Sequence, residues 1–287
     1  MLVFSLLVRS LTIAACLFVW QGAKAEDHQV SCLSGDFFNC GFEKQEASDH
    51  HGAIMDYTEA IRLNPQDYTS YFNRAISKDA LNDRSGAIDD VNRAIELNPK
   101  YAKAYQFRGY LRMTPADFEG TIADLNAAIR LDPKFAEAFF WRGYVKNLNK
   151  DFESALPDLN QAMTLGYLKE DVYFQRARSL LELKRFDEAS ADFDRVIQIN
   201  PMYGKAYLMR AMVQSYLAND QKALADVTQA INIIQPNRGL WPEVSLVKRD
   251  VLLTALKLRA MLRNKMGDVA GGAEDEQTMQ SLQNIWN

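Results

Sequence analysis

The stretch AIELNPKYAKAYQFRGY at 94–110 returns 34 residues later as AIRLDPKFAEAFFWRGY at 128–144, identical at ten of seventeen positions. Recurrence at this length constrains a chain more than any single motif. A unit of that size cannot bury its own apolar face and must stack on its copies. The period runs far beyond the two best copies. Prolines fall at Pro65, Pro99, Pro133 and Pro201, with Tyr167 at the intervening step and Pro236 one residue late. Alanines keep the same beat at Ala60, Ala94, Ala128, Ala162 and Ala230, with Val196 in the remaining slot, and again at Ala53, Ala87, Ala155, Ala189 and Ala223, with Thr121 interrupting. Between the two alanine series sits a large apolar residue, Tyr57, Val91, Leu125, Leu159, Phe193 or Val227. That spacing is one face of an α-helix, and the small residues let a neighbouring helix approach closely.

A second amphipathic helix precedes each of these. It opens on Phe37, Tyr71, Tyr105, Phe139, Tyr173 or Tyr207, and four residues later comes Gly41, Ala75, Gly109, Gly143, Ala177 or Ala211. Glycine costs about 1 kcal/mol inside a helix, so three glycines at one slot call for close helix contact. The closing proline lacks an N–H and turns the chain into the next pair.

This register of aromatic, small, alanine and proline slots resembles the tetratricopeptide repeat, a 34-residue helix-turn-helix. The resemblance implies an all-α, right-handed superhelical solenoid of about seven such repeats. Residues 34–236 hold six units in register, preceded by an N-terminal extension at 26–33. RAMLRNKMGDVAGGAED at 259–275 matches RAMVQSYLANDQKALAD at 210–226 after 49 residues, so 237–252 is an insertion and 253–287 a seventh, divergent capping repeat.

One departure from the resembled pattern is consistent along the chain. Arginine stands just before the small residue at Arg74, Arg108, Arg142, Arg176, Arg210 and Arg259, and an aspartate ladder accompanies it at Asp56, Asp90, Asp124, Asp158, Asp192, Asp226 and Asp275. A guanidinium on an interhelical face needs a carboxylate, so most of these are expected to form structural ion pairs. Pairing within a repeat leaves Asp56 over and pairing between repeats leaves Asp275, and counting leaves both registers open. A row of arginines for a polyanion is the functional alternative.

Residues 1–25 carry one cation, a short apolar run at 10–20 and Ala23-Lys24-Ala25, which together predict a signal peptide cleaved before Glu26. A lipoprotein box at Cys16 and an uncleaved anchor are the rivals; with cleavage, no stable membrane span is expected. Export, most simply to a bacterial periplasm, then favours a disulfide between Cys32 and Cys40, a short loop whose closure stabilises by roughly 2 to 3 kcal/mol. The formal net charge is −4 and no basic run exists, which argues against nucleic acid.

No catalytic motif of the common kinds is present, no cofactor is expected, and His28, His50 and His51 with the cysteines match no common zinc spacing. In the resembled family the first helix of each pair lines a concave wall that receives an extended peptide or a partner helix. The slots that would face it are Phe38 and Phe42, Phe72 and Ile76, Gln106 and Tyr110, Phe140 and Tyr144, Phe174 and Arg178, and Leu208 and Met212. The lysine–asparagine clamp for acidic chaperone tails is absent, since Phe42, Ile76, Tyr110, Tyr144, Arg178 and Met212 hold its asparagine slot. The expected function is a non-enzymatic interaction scaffold, with an envelope holdase or an accessory enzyme subunit as the alternative. Self-association through an end repeat stays open. Aromatics at helical spacing also suit a core, and the exposure of Phe72, Tyr110, Phe140 and Tyr144 decides between wall and core.

Overall fold

Apolar residues at the spacing of one helix face produce helices throughout. The computed structural model describes residues 36–234 and 246–286, where there are fourteen α-helices and no strand. The expected signal peptide at 1–25, the expected extension at 26–33 with Cys32, and Pro236 lie outside the described residues. The chain divides after Pro133 into two compact units. The first contains three antiparallel hairpins: α1 (Phe37–Glu46) with α2 (His50–Leu63), α3 (Tyr68–Ala80) with α4 (Arg84–Leu97), and α5 (Ala102–Arg112) with α6 (Phe118–Leu131). The second contains four: α7 (Ala136–Leu148) with α8 (Phe152–Thr164), α9 (Glu170–Glu182) with α10 (Phe186–Ile199), α11 (Gly204–Tyr216) with α12 (Asp220–Ile234), and α13 (Leu246–Lys265) with α14 (Val269–Trp286). Within each unit, the second helix of a hairpin also packs on the first helix of the next. The expected insertion is helical from Leu246 onward, lengthening α13 to 20 residues.

Two kinds of residue shape the hairpin turns. Asp49, Asp83, Asp117 and Asp151 accept hydrogen bonds from the backbone N–H three residues on, at 2.9 to 3.3 Å, and so cap α2, α4, α6 and α8. Just before the second helix or its cap, Ser48, Asn82, Lys150, Lys184 and Ala218 adopt positive φ, where the seventh hairpin has Gly267.

The two alanine series and the large apolar slot between them form the core. Tyr57, Val91, Leu125, Leu159, Phe193 and Val227 are fully buried. Each contributes roughly 1.5 to 3 kcal/mol by leaving water. Gly143 shows why its slot is small: a Cβ there would lie 2.8 Å from Leu159 Cγ and 3.2 Å from the Ala155 carbonyl oxygen.

The arginine and aspartate rows join within each repeat. Arg74, Arg108, Arg142, Arg176, Arg210 and Arg259 each donate through Nε and Nη2 to both oxygens of Asp90, Asp124, Asp158, Asp192, Asp226 and Asp275 in turn, every N···O distance being 2.9 Å or less. The surplus acid is Asp56, because the first repeat has Cys40 in the arginine slot; Asp56 pairs instead with Lys44 at 2.6 Å. On four of the six arginines Nη1 reaches the preceding repeat, donating to Thr58 from Arg74, Asn92 from Arg108, Asn160 from Arg176 and Asp194 from Arg210. A second cation one turn on, at Lys78, Arg112, Lys146 or Arg263, closes on the same aspartate. The opening aromatics complete the arrangement, with Tyr71, Tyr105, Phe139 and Tyr207 lying 5.4 to 5.6 Å from the guanidinium of their own repeat.

Two stability outcomes follow from this packing. Thr121 holds a buried hydroxyl with no hydrogen-bond partner in an alanine slot, so Thr121→Ala is expected to raise stability by about 1 kcal/mol in urea unfolding; a loss would mean that the hydroxyl is satisfied. Asp158→Ala strands Arg142 and Lys146 and is expected to cost about 3 kcal/mol, whereas removing the exposed Arg185–Glu188 pair changes little. Equal effects of the two would show that the ladder behaves as solvated surface.

Candidate functional site

The first-helix residues expected to line a wall separate into two rows. Phe72, Phe140 and Phe174 are buried, at 8%, 2% and 3% exposure, and Leu208 is buried with them. This corrects the assignment of these three phenylalanines to a binding surface. Each is covered by an aromatic that follows the closing turn of its own repeat: Tyr101 at 5.0 Å from Phe72, Tyr167 at 4.8 Å from Phe140 and Tyr203 at 5.2 Å from Phe174, ring centre to ring centre. Tyr101 and Tyr203 stand at one place in the repeat, two residues after the closing proline, a signal in the sequence, whereas Tyr167 covers Phe140 from the proline slot itself. Burial pushes the Tyr101 hydroxyl up to about 12 and raises Tyr167 and Tyr203 as well, so all three stay neutral at physiological pH.

The slot one turn further on behaves differently. In the first unit Phe42 is 44% exposed, while Ile76 and Tyr110 are half-buried. Tyr110 stacks on Phe107 at 5.9 Å and receives the Arg84 guanidinium over its ring. Phe38 is half-buried against Tyr57. In the second unit Tyr144, Arg178 and Met212 are all half-buried, and Tyr144 meets the edge of Trp141 at 5.6 Å. In the second unit a surface on this face is therefore built from the second row, with Phe140, Phe174 and Leu208 as its floor.

Met212 leads into a cleft of about 990 Å³ within the second unit. α13 contributes Leu253, Lys257, Leu258 and Met261 to it, and α14 contributes Glu276 and Met279. Met261 is 53% exposed. The sequence held a pointer to these residues: Met261 occupies in the seventh repeat the slot of Met212 in the sixth, and Lys257 the slot of Leu208. Flexible thioethers around an open cleft suit apolar side chains of varied shape.

The other candidate groups are structural. The ladder arginines and aspartates satisfy one another, and none of the six arginines presents a free guanidinium. Cys40 is buried and disulfide-bonded, Cys32 lying outside the described residues. His50 and His51 begin α2, and among the described residues no group of three His, Cys, Asp or Glu could hold a metal ion. No helix among the described residues is long and apolar enough to cross a membrane.

Comparison with known proteins agrees with this geometry. Tetratricopeptide-repeat family models match residues 108–166 and 170–203. No curated protein matches the chain. Among solved structures, YrrB, described as a TPR protein with an unusual peptide-binding site, is 26% identical over 63% of this chain and 93% of its own, with a TM-score of 0.54. A tetratricopeptide-repeat protein from Parabacteroides merdae is 16% identical over 86% of this chain and 92% of its own, with a TM-score of 0.59. PilF of Pseudomonas aeruginosa is 15% identical over 71% and 92%, with a TM-score of 0.64. The last two likenesses concern the fold. With the repeat register, the stacked hairpins and these matches in agreement, the chain is a tetratricopeptide-repeat protein.

Proposed function

We propose that this protein is a non-enzymatic scaffold that receives an extended segment of a partner protein on the first-helix face of its repeats. Proteins of this repeat class act in general through protein partners, and the solenoid presents side chains from successive repeats at regular intervals. The observation that carries the reading is the cleft of about 990 Å³ that begins at Met212 and continues over Met261 and Met279. Its lining combines six apolar residues, three of them methionines, with six polar ones that include Lys257 and Glu276, a mixture suited to peptide side chains and backbone. YrrB, with its peptide-binding site, supports the same mode by likeness. Export is part of the proposal and rests on residues 1–25 together with the disulfide-bonded Cys40, since such bonds persist in oxidising compartments.

The test compares wild-type protein with Met261→Glu in crosslinking pull-downs from cell-envelope extract, with circular dichroism to confirm that both are folded. A defined partner retained by the wild type and lost by at least about tenfold in Met261→Glu is expected. Equal recovery by both proteins would refute the cleft. Protection of many unfolded chains from aggregation, with no defined partner, would instead favour a holdase. N-terminal sequencing of the exported protein should begin at Glu26.

A further inference from the structure

Most cations on the first helices of the second unit have a carboxylate. Arg142, Arg176, Arg210, Arg259, Arg263 and Lys146 all close on the aspartate ladder. Arg178, Lys205 and Lys257 form no such pair among the described residues, and the first two share one place. Lys205, at the start of α11, carries its ammonium 5.5 Å above the ring of Phe174 on α9. Arg178 lies one turn along α9 from Phe174, on the same helix face. Neither cation makes an ion pair with a carboxylate among the described residues. Loss of water around its ammonium, and after that the charge of Arg178, hold Lys205 below the usual lysine range. On α9, Glu182 lies one turn beyond Arg178 and Glu170 one turn before Phe174, yet neither forms an ion pair with Arg178 or Lys205, and Asp171 already accepts the Tyr167 hydroxyl at 3.0 Å.

This pair of uncompensated charges interrupts an otherwise apolar row. Tyr144 occupies the same slot one repeat before Arg178, and Met212 the same slot one repeat after. Adjacent helices lie about 8 to 10 Å apart and an extended chain advances about 3.3 to 3.6 Å per residue, so neighbouring slots meet ligand residues roughly three apart. We infer that Arg178 and Lys205 anchor an internal aspartate or glutamate of an extended partner peptide, with apolar ligand residues about three positions to either side meeting Tyr144 and the methionine cleft. The anchor takes an internal side chain, since surface for the ligand continues on both sides of the cations and a terminal carboxylate would leave one side uncovered. This inference rests on the proposed scaffold role and names the chemistry of its partner.

The test is selection of nine-residue peptides from a randomised library on the full chain, once with the peptides carried internally and once with free C-termini. Selected peptides are then measured by fluorescence anisotropy. Enrichment of one acid flanked by apolar residues is expected, together with binding that weakens at least about tenfold for the Glu→Gln peptide and for Arg178→Ala or Lys205→Ala. Arg178→Lys should recover part of the loss, and circular dichroism with thermal melts establishes that each variant is folded. Peptides selected without an acid, or bound equally by both alanine variants, would overturn the inference and leave the scaffold reading intact. Selection only with free C-termini would overturn the internal anchor in favour of terminal capture. If no peptide is selected in either format, the inference fails together with the reading it rests on.

Discussion

A guanidinium clamped by two parallel N–H bonds on a nearly buried carboxylate recurs in six of the seven hairpins, and the rest of the packing depends on it. The contact spans the two helices of one repeat, and the planar fork fixes both their separation and their rotation. In four of the six its remaining Nη1 reaches back to the preceding repeat, as from Arg108 to Asn92 and from Arg176 to Asn160. One side chain thus ties two hairpins. Buried ion pairs of this kind contribute little net stability compared with a well-packed apolar core, and breaking one is severe because a charge is left stranded. The core beside them supplies the stabilising area, while the charges fix the register in which that area comes together.

Register has a direct consequence for the binding face. Once the small slot is pressed against the second helix, the residue three positions before it must point toward the following repeat. Phe72, Phe140 and Phe174 are in that position and meet the ring that follows the next turn. The residue after the small slot is carried past that contact toward water, which is where Tyr144, Arg178 and Met212 stand. A single helical turn therefore divides floor from surface. It also explains how a row rich in aromatics coexists with a modest exposed apolar area: most of the rings are inside.

Much of this was legible in the residues themselves. The 34-residue period, the helix pairs and the small slots are local and repeated, so each copy corroborates the others. The two ladders were also visible as rows of opposite charge. Their pairing register was not, because both registers satisfy the count except for one acid, and only the observed contacts, Arg74 with Asp90 and Lys44 with Asp56, decide it. The cleft escaped a reading that stopped at the sixth repeat, although Met261 repeats the slot of Met212. The encounter of Arg178 with Lys205 was hidden for a stronger reason: the two lie on different helices, and no periodic slot relates them.

What the amino-acid order determined alone is the element content, the unit length and the identity of the core, since period and polarity act through neighbours along the chain. Tertiary structure decided which of two adjacent rows became surface and which charges remained without partners. Those outcomes depend on a rotation of a few tens of degrees about each helix axis and on side chains meeting from different repeats. Both are properties of packing, and periodicity is silent about them because every face of a helix repeats with the same period.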